Sequence, residues 1–167
     1  MSTTTTYVDA EFAGLATFLT AQRESVLAIV EGLDEAALRK AVVPSGWTPL
    51  GMVEHLCGAE RYWFQHVVRG QMDPRPWPPS DEDAFVSEQP VEAVMAFYRA
   101  TCTLSDEIMR ATSLEARPVG EPHPDLAHYA ADVRTVVLHM IEETARHAGH
   151  LDIARELLDG STGLGPR

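Results

Sequence analysis

The sequence is short of positive charge and of cysteine, and it has no long apolar run. Its 167 residues carry 13 basic side chains against 25 acidic ones, a formal net charge of −12. Phosphate backbones and anionic lipids are bound by clustered Lys and Arg, so neither a nucleic acid nor a membrane surface is an expected partner. No stretch reaches the roughly 18 consecutive apolar residues that mark a membrane-crossing helix. The opening MSTTTTYVDAEF lacks the basic and apolar regions of a signal peptide. Two cysteines, Cys57 and Cys102, are too few for a disulfide framework and suit a reducing compartment, which makes the cytoplasm the expected location. The chain also lacks a convincing alternating strand, a Gly-rich phosphate loop, a G-x-S-x-G elbow and a CxxC pair.

What it has is helical periodicity. The 45% hydrophobic content and this length fit one domain over residues 1–167, with flexible ends at 1–6 and 161–167. Four long helices are predicted. The first runs from about Asp9 to Leu33, with Leu15, Phe18, Leu19, Val26, Ile29, Val30 and Leu33 on its buried face, and a short helical turn at Asp34–Lys40 follows. The second opens with Thr48 as N-cap and Pro49 in the first position, and stops at Gly70 after Arg69. The third covers about Pro90–Ala111, and the fourth about Asp132–Asp159, ending at Gly160. Between the second and third, Pro74, Pro76, Pro78 and Pro79 forbid a helix and favour an extended loop, and a second long loop holding Pro118, Pro122 and Pro124 joins the third to the fourth. The fold class read from this pattern is all-α, a four-helix bundle with long crossing loops.

The fourth helix carries the chemistry. His139, Glu143, His147 and His150 fall within an arc of roughly 80° at about 100° per residue. Imidazole and carboxylate together are the donors of zinc, nickel and iron sites. Glu143 and His147 are spaced i,i+4 and can reach one ion, so a further donor is expected from another helix. Val136, Met140, Thr144 and Ile153 compete for the buried side. On the second helix His55 sits among Trp47, Leu50, Met52, Leu56 and Trp63, near a wall of the core. His66 lies roughly 16 Å further along the axis, too far to share an ion. Cys57 points about 200° away from His55 and reads as neither ligand nor nucleophile. His123 and His128 read as ordinary loop histidines, and Glu142 with Arg146 as a surface ion pair.

The segments SGWTPLGMVEHL (Ser45–Leu56) and HMIEETARHAGHLDI (His139–Ile153) resemble the DinB/YfiT-like superfamily, in particular its actinobacterial mini-circle protein branch. The resemblance covers nearly the whole chain. It implies a DinB-like four-helix bundle, often dimeric, so that a homodimer is one arrangement it allows. It further implies a divalent metal held by a second-helix histidine and two last-helix ligands spaced i,i+4. The common form has two histidines there, whereas this chain has Glu143 first. Mycothiol-dependent maleylpyruvate isomerase, a member of the superfamily, has the same His plus ExxxH pairing. Carried over, the ligands are His55, Glu143 and His147, with zinc as the expected metal and nickel, iron or manganese as alternatives. His150 stands where many relatives have glutamine, and reads as an extra donor, a substrate contact or a partner of a ligand. It is also the candidate catalytic residue, moving protons, with Glu142 as the alternative.

The resemblance implies a thiol-dependent S-transferase or isomerase. A bound cation activates mycothiol or a similar low-molecular-weight thiol, which then meets a small-molecule electrophile. A metal-dependent hydrolase using bound water, and a non-catalytic stress or partner-binding bundle with a vestigial site, are the other readings.

Overall fold

The computed structural model describes residues 4–78 and 85–163. The flexible ends expected from the sequence lie in part outside these residues, as does the middle of the first Pro-rich loop. Helices are α1 (Thr4–Val30), α2 (Glu35–Leu38), α3 (Pro49–Glu60), α4 (Val91–Ala111) and α5 (Val133–Asp159). A π-helical segment (Arg61–Val68) continues α3, and a 3-10 turn (Pro124–Tyr129) precedes α5. The protein is all-helical, with no strand among the described residues.

The helix ends follow the sequence signals. The Thr48 hydroxyl accepts from the Gly51 amide at 3.1 Å, with Pro49 in the first turn where no N–H is needed. Asp132 caps α5 by accepting from the Thr135 amide and hydroxyl, both at 2.7 Å, an arrangement that contributes about 1 kcal/mol. Gly160, at φ 79°, closes the other end with its amide on the Glu156 carbonyl. One expectation fails at the end of the second helix. The pattern predicts α-helix to Arg69, but after Glu60 the winding widens to i→i+5 bonds, such as Arg69 N–H to the Phe64 carbonyl at 3.0 Å. The carbonyls that the segment leaves open are taken by a neighbouring loop, with Val119 N–H on Val68 and Gly120 N–H on Val67.

α1 packs along α5, and α3 packs against both α4 and α5. The core divides into two apolar clusters. One centres on Val26, Ile29, Leu50, Leu56, Tyr98 and Leu151, the other on Leu19, Phe64, Met109, Val136 and Met140. Between them in sequence on three helices lie Arg23, Glu60 and Asp106. Arg23 forks onto both Glu60 oxygens at 2.7 Å and reaches Asp106 at 2.7 Å, which satisfies a guanidinium and a carboxylate that are otherwise buried. Phe18 and Ile153, expected on buried faces, are 64% and 56% exposed. The buried line of α1 runs through Leu19, Val26 and Val30, and that of α5 through Met140, Thr144, His147 and Leu151. Phe18 and Ile153 each sit about 100° or more off those lines.

Candidate metal centre

Packing of α3 on α5 brings His55 across to the i,i+4 pair of the last helix. The Nε2 atoms of His55 and His147 both meet Oε1 of Glu143, at 3.2 Å and 2.9 Å. One donor atom from each of the three residues lies within 4.8 Å of the other two. The hydrogen bond from His147, then that from His55, holds the Glu143 carboxyl well below the ordinary carboxylate range, against the opposing effect of burial. The group is half-buried: side-chain exposure is 24% for His55, 22% for Glu143 and 10% for His147. His55 therefore stands at the core's edge, and its apolar neighbour is Phe85 rather than the tryptophans near it in sequence. The Phe85 ring lies 4.4 Å from that of His55 and 6.0 Å from that of His147. Phe85 is itself fixed by its carbonyl, which accepts from the Thr48 amide at 3.1 Å. That same carbonyl oxygen presses on Gly51, where an added Cβ would stand 1.8 Å away.

Behind His147, its Nδ1 meets Nδ1 of His150 at 3.3 Å, so that one ring donates and the other accepts. His150 is exposed, with Trp47 as its aromatic neighbour at 6.2 Å. Burial and the His147 ring beside it lower its pKa from the ordinary 6.5. It is absent from the wall of the cavity that opens beside the three donors. That cavity, about 680 Å³, is lined by His55, Glu143, Glu142 and Arg146 on its polar side. Tyr62, Trp63, Tyr129 and His139 form an aromatic side. Glu142 and Arg146 make the ion pair expected of them, at 2.8 Å.

His139 belongs to this wall rather than to the donor cluster. Its ring stacks on Tyr129 at 4.0 Å, its Nδ1 is buried without a partner, and burial lowers its pKa from 6.5. Of the loop histidines, His123 lines the cavity, while the His128 ring lies tilted against Tyr129 at 3.9 Å. His66 stays apart, against Tyr62 and the Glu121 carbonyl. Cys57 is buried with its thiol donating to the Val53 carbonyl, and burial pushes its pKa far up, which removes it as a nucleophile. Met72, Arg75 and Tyr129 carried no signal in the sequence, because the loops that bring them to the cavity have no periodicity to read. Phe85 was silent for the same reason.

Two imidazoles and a carboxylate from two helices form a donor set that can hold a divalent cation while leaving positions for a ligand from the cavity. Among the described residues, no helix is long and apolar enough to cross a membrane. A family model described as Mycothiol-S-transferase matches residues 14–160. No curated protein and no solved structure gives a match.

Proposed function

Because the chain belongs to the Mycothiol-S-transferase family, we propose that it is a metal-dependent transferase joining a mycothiol-type thiol to a small electrophile. The observation that carries this reading is the convergence of His55, Glu143 and His147 beside the cavity. The donors fit a divalent cation: both facing nitrogens are Nε2, and the carboxylate between them is held ionised. His₂Glu is a donor set of catalytic zinc, and zinc is the cation we assign. When bound, the cation lowers the pKa of a thiol sulfur so that thiolate is present at neutral pH.

The chain's own residues do the rest. His150 orients the His147 ring through the Nδ1 contact and is a positioning residue, not one that meets substrate. Phe85 packs on the His55 ring and fixes its direction. Glu142 and Arg146 present a paired carboxylate and guanidinium to the polar thiol at the cavity rim. In the transfer the sulfur–carbon bond forms as the bond from carbon to its leaving group breaks. The electron pair departs with the leaving group, and the thiol proton passes to solvent at the mouth, where Glu142 is exposed. The cytoplasm is the location we propose, a reducing compartment suited to a low-molecular-weight thiol and to the two free cysteines. The four long helices are read as a bundle forming one domain.

Zinc-loaded protein incubated with mycothiol and monochlorobimane should form the thioether. No rate above that of His55→Ala overturns the reading, and product formed without any thiol replaces it with a hydrolase.

A further inference from the structure

The cavity is chemically divided. Its polar side carries His55, Glu143 and the Glu142–Arg146 pair. Its other side is a run of rings in mutual contact. Tyr129 stacks on His139 with an interplanar angle of 26°. Trp63 meets His139 edge-on at 4.6 Å, and Tyr62 meets Trp63 edge-on at 5.2 Å. Met72 adds a half-exposed thioether to this cavity, a group that packs favourably on a ring.

We propose that the ring-lined side is the electrophile site, and that it takes planar, uncharged, apolar molecules in preference to puckered or charged ones. This rests on the transferase reading, which requires a second substrate within reach of the thiol. Shape supports planarity: stacked and edge-on ring pairs hold a third flat ring by the same offset and edge contacts that they make with each other. Charge supports neutrality. Tyr62, Trp63, Tyr129 and Met72 on this side carry no formal charge with which a charged ligand could pair. His139 gives the site one polar point. Its Nδ1 is buried and unpartnered, which leaves Nε2 as the nitrogen that a ligand can reach, able to bond a carbonyl or amide on the flat molecule. The volume of about 680 Å³ exceeds what one aromatic ring fills and leaves the polar side to the thiol.

The test compares two unreactive amides of similar size, N-phenylacetamide and N-cyclohexylacetamide, titrated calorimetrically into zinc-loaded protein. The planar amide should bind roughly fivefold to tenfold more tightly, the margin expected of one ring contact. Tyr129→Leu should erase that margin and Tyr129→Phe should keep it. In turnover with monochlorobimane, Tyr129→Leu should raise KM for the electrophile and leave KM for the thiol unchanged. Equal binding of the two amides, or a margin that survives Tyr129→Leu in a variant with unaltered circular dichroism, overturns the proposal. Because amide binding needs no reaction, planar preference without turnover sinks the transferase reading and leaves a site for planar ligands that are not electrophiles, whereas turnover without planar preference sinks only this inference.

Discussion

Gly51→Ala should cost stability and metal affinity together, although residue 51 has no side chain to offer a cation. The residue lies in the first turn of α3, and a Cβ there would stand 1.8 Å from the Phe85 carbonyl oxygen and 2.2 Å from its carbon. Real Cβ contacts stay beyond 3.0 Å, so the Phe85 backbone must retreat by more than an ångström. That retreat breaks the 3.1 Å bond from the Thr48 amide and lifts the Phe85 ring from His55. Overpacking of this kind costs about 1–3 kcal/mol and a lost hydrogen bond about 1 kcal/mol. Replacing glycine inside a helix returns up to about 1 kcal/mol. The net expectation is a loss of about 1–3 kcal/mol, or a Tm lower by roughly 3–10 °C for a chain of this size. Zinc binding, read by competition with a chromophoric chelator, should weaken about tenfold because His55 loses the ring that orients it. Gly149→Ala is the control. It is the same substitution in α5, but no heavy atom lies within 4 Å of the added Cβ, so it should gain about 0.5–1 kcal/mol. If the two variants melt alike and bind zinc alike, the account of how Phe85 is held against the site is wrong.

Two further outcomes follow from buried titratable groups. Burial raises the thiol pKa of both Cys57 and Cys102, so neither should react with a thiolate-specific disulfide reagent at about pH 8 until the chain is unfolded; rapid labelling of either in the native protein would contradict this. His139 has its pKa lowered by burial from the ordinary 6.5. Between the folded value and 6.5 the unfolded chain therefore binds more protons, and stability falls as pH drops through that window. His150 is shifted the same way but is exposed. Urea midpoints of the metal-free protein should decline less from about pH 7.5 to about pH 5.5 in His139→Gln than in the wild type. An equal decline in both would show that His139 titrates normally.

Much of the fold was readable because its signals are local. Thr48–Pro49, Asp132 and Gly160 specify helix ends through bonds within one turn. The π winding from Arg61 was not readable. Its apolar spacing also fits an α-helix, and what stabilises it is the loop at Val119–Gly120 closing its carbonyls from a distance in sequence. At the site, the residue types and spacing that bind a cation picked out Glu143 and His147, and the structure brings His55 to them. The aromatic wall stayed hidden because its members come from the π segment, the 3-10 turn and α5, and no periodicity links the three.

His139 and His150 show why angle alone could not assign the stripe. On the helical wheel His150 falls between His139 and Glu143, closer to the centre of the arc than His139. Angle gives direction, however, and rise gives reach. At about 1.5 Å per residue His150 lies roughly 10 Å along the axis from Glu143, beyond His147. The cavity extends the other way, past Glu142, Glu143 and Arg146 toward His139. His150 consequently meets the far nitrogen of His147, where it can fix a tautomer. His139 sits among the rings that line the cavity. Which of the two histidines lines the cavity is set by where α3 and the 3-10 turn pack along α5, information that a single helix does not contain.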